Sequence, residues 1–233
     1  MMHAVIPEPY SHPAPMRPPF AWVTWLLVGS TVAVFLLQLL CVNLYGNDTI
    51  ADALSFSPQT MVEGRYWTLL TYAWAHAVVI FGDPGLFWLH IVANMIPLIC
   101  LGPALERLLG AWRYLVLYLG GTVASALIWL FFNPNADQGI IGASGAIFTL
   151  IAAAGTTAPR ARLVVFLFFV LPIRMSMWAL ALLIVVGEVV QIIFNWMPEV
   201  AHSAHLGGAF FGFLYILTVV SNLNYHRGNW LQS

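Results

Sequence analysis

Charged residues are scarce in this chain of 233 residues, making up 7% of the sequence against about 25% in typical soluble domains. So few charges cannot cover the water-facing surface of a globular protein, and 61% of the residues are hydrophobic. The sequence therefore predicts an integral membrane protein. Lysine is absent, and the net charge of −1 leaves no clustered basic face for nucleic acid.

Cysteine is also rare: Cys41 and Cys100 both fall in apolar runs, which is typical of buried reduced thiols rather than of a disulfide or a metal site. Prolines, by contrast, cluster at the start, where residues 1–20 contain six of them. We expect this segment to be a short disordered tail, and without an apolar core it is not a signal peptide. His3 and His12 could bind a metal, but a solvated tail is the better interpretation.

Six apolar segments approach the roughly 20 residues that a membrane helix needs. They comprise residues 21–42, 86–105, 112–132, 142–157, 175–194 and 201–220. The fourth is short and rich in small residues. The run 163–171 is too short to span and is expected to pack at the membrane interface. The predicted fold class is an all-α membrane protein with six transmembrane helices.

The arginines indicate how these helices are oriented, because basic residues are enriched on the cytoplasmic side of a membrane. Seven of the eight would lie on the side of the two termini: Arg17, Arg107, Arg113, Arg160, Arg162, Arg174 and Arg227. Arg65 falls on the other side, with six of the nine acidic residues. We therefore predict cytoplasmic tails at 1–20 and 223–233, which flank a membrane domain at 21–222 with an outer loop at 43–87.

The outer loop contains an aromatic, amphipathic stretch at 66–74 that is too short to span. Aromatic rings are favoured at the membrane interface, so this stretch predicts a helix lying in the interfacial plane. No internal repeat is visible and paired intramembrane charges are lacking, which argues against a small transporter.

Ser144 lies where the fourth apolar segment begins, between Gly142 and Gly145. Glycines allow close approach of another backbone, and the unpaired N–H groups of a helix N-terminus would stabilise negative charge on a substrate carbonyl. The same run of small residues is also typical of helix packing in membranes. Both interpretations stay open for this fragment alone.

His205 lies near the start of the sixth segment and precedes Gly208 and Gly212, a spacing that lets a neighbouring helix pack closely. If that neighbour is the fourth helix, His205 could take the hydroxyl proton of Ser144. A lone intramembrane histidine could equally be structural or relay protons. His202 belongs to the preceding loop or first turn, so His205 is the better candidate for the base.

Four other residues in the apolar segments each admit a functional and a structural interpretation. His90 and Asn94 share one helix face, from which they could donate to an oxyanion or join two helices. They lack a third ligand at zinc spacing. Phe148 follows Ser144 by one turn and could pack on a histidine ring or belong to the core. Glu188 is given no catalytic role, because a hydrogen bond to a neighbouring helix explains it equally well.

Four short motifs together resemble those of the rhomboid intramembrane serine proteases. They are Gly-Ala-Ser-Gly at 142–145, Ala-His-Leu-Gly-Gly at 204–208, His-Ile-Val-Ala-Asn at 90–94 and Glu-Arg-Leu-Leu-Gly at 106–110. Each motif is weak alone, but their order and depth agree with that family over about residues 20–222.

This resemblance implies a catalytic dyad of Ser144 and His205 without a buried acid. It implies an oxyanion hole formed by His90, Asn94 and the backbone N–H of Ser144. It further implies that Phe148 stacks under the ring of His205. No cofactor and no metal would be needed for this chemistry.

The resemblance also implies supporting roles for Gly142, Gly145 and Gly208. Single-span membrane proteins would be the substrates, cleaved near the outer face of the lipid bilayer. The fifth helix and the outer loop 195–202 would form the gate through which such a substrate enters.

Two departures from the family pattern affect the outer loop. Arg65 precedes Trp67, where the family usually has the order Trp-Arg, and 77–89 resembles an insertion. Neither change removes a proposed catalytic residue. The alternative function is a non-catalytic rhomboid-like binder of membrane segments, but such proteins lose the serine or the histidine. Short tails without a targeting segment favour a bacterial inner membrane, with an organelle membrane as the alternative.

Overall fold

The structure is a computed structural model that describes residues 20–78, 87–167 and 171–230. Those ranges contain the helices α1 (Trp22–Tyr45), α2 (Thr49–Leu54), α3 (Pro58–Val62), α4 (Thr68–Thr71), α5 (Phe87–Leu109), α6 (Ala111–Phe132), α7 (Ser144–Thr157), α8 (Met177–Ile193) and α9 (His202–Trp230), and the strands β1 (Arg162–Leu167) and β2 (Leu171–Ser176). Nearly all of the predicted amino-terminal tail, most of the predicted insertion and the end of the predicted carboxy-terminal tail lie outside the described residues.

Each of the six predicted apolar segments forms a helix, because a backbone in hydrocarbon must satisfy its polar groups internally. Four of these helices are long and apolar enough to cross a membrane, namely α1, α5, α6 and the first part of α9. The helices α7 and α8 are shorter, with 14 and 17 residues. Large apolar side chains such as Leu36, Leu183 and Phe210 point outward. The prediction of a mainly helical membrane protein is confirmed at this level.

One element departs from the all-α prediction. The strands β1 and β2 form an antiparallel hairpin, in which Val165 pairs with Ile173, in place of a simple interfacial segment. The consecutive β-branched residues Val164 and Val165 favour a strand, and the pairing satisfies backbone groups that a single extended segment would leave open. Because β2 continues to Ser176, α8 begins at Met177, two residues later than predicted.

The helix α7 lies inside the bundle, and α9 is packed directly on its backbone. A Cβ on Gly208 or Gly212 would collide with the carbonyl oxygen of Gly145 or of Thr149, respectively. The hydroxyl of Thr149 lies 3.0 and 2.9 Å from the carbonyl oxygens of Gly145 and Gly208, so its proton is shared between the two helices. Small residues thus bring α7 and α9 together, as expected for membrane helices.

The outer segment between α1 and α5 is more broken than the sequence indicates. The interfacial helix predicted at 66–74 is only the four-residue helix α4, with non-helical turns before and after it. Arg65 donates through Nη2 to the carbonyl oxygens of Asp52 and Ala53 at 2.6 and 2.8 Å. Trp67 donates to the same oxygen of Ala53 at 3.3 Å. The arginine and the tryptophan therefore both bind the end of α2, despite their altered order.

A buried carboxylate joins α5 to the start of α1. Glu106, which is 3% exposed, accepts hydrogen bonds from the backbone N–H groups of Val23 and Thr24 at 3.0 and 2.8 Å. The hydroxyl of Thr24 donates to the same side chain at 2.7 Å. Glu106 thereby satisfies N–H groups that the first turn of a helix leaves unpaired.

Candidate active site

The helix α7 begins at Ser144, directly after a turn whose backbone conformation at Gly142 is not helical. Gly142 has a φ of 113°, which side chains of L-residues strongly disfavour, and its N–H donates to the carbonyl of Tyr72 at 2.9 Å. A Cβ at this position would also lie only 2.7 Å from Nε2 of His90. A glycine is thus required both for the turn and for the close approach of the histidine ring.

Ser144 and His205 meet across the contact between α7 and α9. The Oγ atom of Ser144 lies 2.8 Å from Nε2 of His205. His205 is buried, with 7% of its surface exposed, while Ser144 is half-buried. The separation lies in the range expected between a nucleophile and its general base.

The ring of Phe148 lies parallel to that of His205, with centroids 4.2 Å apart and an interplanar angle of 11°. Phe148 occupies this position because it follows Ser144 by one turn of α7 and shares its face. The stacked ring restricts rotation of the imidazole and so helps to hold Nε2 against the hydroxyl.

His90 and Asn94 lie on α5 beside the segment that leads into Ser144. The N–H of Ala77 donates to Nδ1 of His90 at 3.0 Å, so the hydrogen of this neutral ring is assigned to Nε2, the atom nearest Gly142. The amide of Asn94 donates through Nδ2 to the carbonyl of His90 at 2.8 Å. Its Oδ1 is buried and has no hydrogen-bond partner among the described residues. His90 thus has an N–H at Nε2, and the amide nitrogen of Asn94 has a second N–H beside the one bonded to His90.

His76 was missed as a member of this cluster. Its Nε2 lies 3.5 Å from the N–H of Ala143, its ring lies 5.0 Å from that of His90, and the amide of Gln38 binds its backbone on both sides. Burial lowers the pKa of His76 to about 3, and repulsion from His90 acts in the same direction. The only signal in the sequence was a histidine within an apolar, tryptophan-containing stretch of the outer loop.

Glu188 of α8 provides a buried acid, which the resemblance to a simple dyad did not include. Its Oε1 lies 3.1 Å from Nδ1 of His205, and its Oε2 lies 2.6 Å from Nδ1 of His202. The Nε2 atom of His202 lies 3.0 and 3.1 Å from the carbonyl oxygens of Trp196 and Met197. The expected contact of Glu188 with a neighbouring helix is present, and it reaches the candidate base itself.

The cluster of Glu188, His202 and His205 also has the residue types of a metal site, with one ligand atom from each within 4.8 Å of the others. Two ligands of a tetrahedral zinc ion at about 2.1 Å are about 3.4 Å apart. The 2.6 Å between Glu188 and His202 is much shorter and fits a shared proton. We therefore assign these side chains to a hydrogen-bonded network.

Comparisons with known proteins agree with this architecture. The Rhomboid domain family model matches residues 63–222. RHOMBOID-like protein 5 of Arabidopsis thaliana is 26% identical over 248 residues, which cover 86% of this chain and 71% of the relative. Presenilin-associated rhomboid-like protein A, mitochondrial, of Danio rerio is 35% identical over 130 residues, 55% of this chain and 33% of the relative.

Rhomboid protease GluP of Bacillus subtilis is 24% identical over 191 residues, which cover 82% of this chain. The matched region spans about a third of the length of GluP and of the Danio rerio protein, at 33% each. The family model nevertheless matches more than half of this chain, and four helices in the part that the structure describes are long and apolar enough to cross a bilayer. The protein is therefore an integral membrane member of the rhomboid family.

Proposed function

We propose that this protein is a serine endopeptidase that cleaves transmembrane segments of other membrane proteins. Ser144 is the nucleophile and His205 is the general base and acid. The observation that carries the proposal is the 2.8 Å separation between Oγ and Nε2 at the N-terminus of α7. The match to a relative named as a rhomboid protease supports the same chemistry.

In the proposed reaction, Oγ of Ser144 bonds to the substrate carbonyl carbon while its proton passes to Nε2 of His205. The oxyanion then accepts hydrogen bonds from the backbone N–H of Ser144, from Nε2 of His90 and from Nδ2 of Asn94. As the C–N bond breaks, the proton on Nε2 passes to the leaving amine. A water molecule repeats these steps on the acyl-enzyme and releases the second product.

The arrangement in the membrane is part of the proposal. All six apolar helices would cross the bilayer within a domain at 21–222, with an outer loop at 43–87 and cytoplasmic tails at 1–20 and 223–233. The arginine distribution supports this orientation. With 14 residues, α7 is about 21 Å long, shorter than a hydrocarbon core of about 30 Å. Its N-terminus, with Ser144, would lie below the outer surface, where water must be admitted.

The proposed partners are single-span membrane proteins and the surrounding lipid; no cofactor, metal or nucleic acid is required. Exposed apolar side chains on α8, including Leu182, Leu183 and Val186, support contact with lipid or with a substrate helix. We propose the bacterial inner membrane as the location, with an organelle membrane as the alternative. The match to the Bacillus subtilis protease over 82% of this chain supports the first, and the match to the Danio rerio mitochondrial protein over 55% supports the second.

The proposal is tested by reconstituting the full chain in liposomes with a single-span reporter that has helix-weakening residues near its outer end. A fluorophosphonate probe reports the activated serine independently of any substrate. Ser144→Ala and His205→Ala should each abolish cleavage and labelling to a similar degree, because such residues act as a unit. Ser30→Ala, a serine of α1, is the matched control and should remain active.

Full activity of Ser144→Ala would refute the nucleophile assignment. Absence of labelling and cleavage in a folded wild-type protein would favour the non-catalytic binder of membrane segments. In that case, the reporter should still bind to the reconstituted protein without being cut.

A further inference from the structure

Glu188 links two histidines of α9 through its two carboxylate oxygens. It is one of two buried residues in α8, the other being Met177 at the start of that helix. One oxygen lies against His202 and the other against His205, at 2.6 and 3.1 Å. A buried carboxylate is costly unless its charge is paired and its oxygens accept hydrogen bonds. Contact with these two rings therefore offsets the cost of burying the carboxylate of Glu188.

The contacts of His202 match a ring that has a hydrogen on both nitrogens. Both of its ring nitrogens face oxygen acceptors: Nδ1 faces Glu188, and Nε2 faces the carbonyls of Trp196 and Met197. A neutral imidazole has only one N–H, so one nitrogen would then direct its lone pair at an oxygen. With a proton on each nitrogen, every contact becomes a hydrogen bond. In that form, His202 and Glu188 make a buried ion pair next to His205.

His205 needs the opposite arrangement to act as a base. Its Nε2 must be unprotonated to accept the proton of Ser144, which requires its hydrogen to be on Nδ1. That atom is buried and has no aligned hydrogen-bond partner among the described residues, although Oε1 of Glu188 is only 3.1 Å away. Catalytic hydrogen bonds are often poorly aligned before substrate binds. A small rotation of the carboxylate or the ring would complete this one.

We propose that Glu188 is a positioning residue that holds His205 in the tautomer with the hydrogen on Nδ1, and that His202 keeps the carboxylate ionised and in place. The inference rests on the proposed function of Ser144 and His205. When Nε2 takes the serine proton, His205 becomes an imidazolium whose Nδ1–H faces the anionic carboxylate. No proton passes to Glu188, which stabilises the charge and returns unchanged after the proton leaves for the amine.

Glu188→Gln tests this arrangement with almost no change in shape. The carboxylate offers one acceptor oxygen to each histidine, whereas the amide has one acceptor and one N–H₂ donor. Because His202 donates to this side chain, the amide oxygen is retained there and the N–H₂ group faces Nδ1 of His205. That contact favours the hydrogen on Nε2, which removes the base. In soluble proteases with a Ser–His–Asp triad, the equivalent change lowers kcat by about 10⁴-fold.

We expect Glu188→Gln to lower kcat by about 10²–10³-fold, less than in those enzymes because the resting contact is not aligned, with KM changed by less than about threefold. Spectra of ¹⁵N-histidine in the full chain, assigned with His205→Gln, should show His205 with its hydrogen on Nδ1 in the wild type and on Nε2 in Glu188→Gln. Glu106→Gln is the matched control, because it also neutralises a buried carboxylate. It should lower the thermal midpoint and leave kcat and the tautomer unchanged.

The inference is overturned if Glu188→Gln cleaves within about threefold of the wild type, or if its His205 tautomer is unchanged whatever the rate. If His205 of the wild type has its hydrogen on Nε2, the inference is overturned without any variant. This measurement decides the question even if the Glu188→Gln protein does not fold. Failure of the proposed function looks different: the wild type then neither cleaves nor labels, while the spectra still decide the role of Glu188.

Discussion

Adding one methyl group at Gly208 should separate Ser144, the proposed nucleophile, from His205, the proposed base. The Cβ of Gly208→Ala would overlap the carbonyl oxygen of Gly145 and lie 2.7 Å from Oγ of Ser125, where ordinary contacts begin at 3.4 Å. Relieving the overlap requires α7 and α9 to move apart by about 1 Å. The Ser144–His205 distance would then rise from 2.8 Å to about 3.8 Å, beyond hydrogen-bonding range.

A misplacement of about 1 Å in a catalytic group can cost about 10²-fold in rate. We therefore expect Gly208→Ala to lower kcat by about that factor in the reporter assay, and to lower stability by about 1–3 kcal/mol through overpacking. Gly29→Ala is the matched control, because a Cβ at Gly29 in α1 meets nothing within 4 Å. The reasoning is refuted if both variants cleave at the wild-type rate and the thermal midpoint of Gly208→Ala does not fall.

Two further changes test other parts of the site. Phe148→Ala should lower kcat by up to about tenfold with little change in KM, because a stacked ring pair contributes about 0.5–1.5 kcal/mol. The control Phe210→Ala, which removes an exposed phenylalanine, should leave kcat unchanged. An unchanged kcat for both would show that the stacking does not orient His205. The thermal midpoint should fall as the pH is lowered from about 6.5 to about 3, because the unfolded chain binds a proton that buried His76 does not. Between these pH values, His76→Gln should reduce the dependence of the unfolding free energy on pH by up to about 1.4 kcal/mol per pH unit, and an unaltered pH dependence would assign the loss to other groups.

The membrane helices could be predicted from the sequence because their length and apolar composition are physical requirements of a bilayer. The ends of α1, α6 and α8 fall within about three residues of the predicted positions. The hairpin could not be anticipated, because a short apolar run such as 163–167 suits a strand or a helix segment equally well. Only pairing with a second strand decides between them, and that is a tertiary property.

Only part of the candidate site could be predicted from the sequence. The glycine spacing at Gly208 and Gly212 predicted close packing with the fourth helix, and α9 does lie on α7. The neighbours of His205 were less predictable. Glu188 approaches it from α8, and nothing in the spacing of α8 indicates which way that helix turns its one acid. His76 enters from the outer loop, where the sequence offers no periodicity to follow.

Under the proposed function, the small number of fully buried side chains on α8 would make substrate entry and catalysis mechanically dependent on each other. Its buried side chains are Met177, at the first turn, and Glu188, about three turns later, while its other side chains are half-buried or exposed. Sideways movement of α8 at the level of Glu188 must lengthen the contact with His205. An inhibitor that wedged α8 outward is therefore expected to stop the proposed cleavage from the lipid side, without blocking or modifying Ser144.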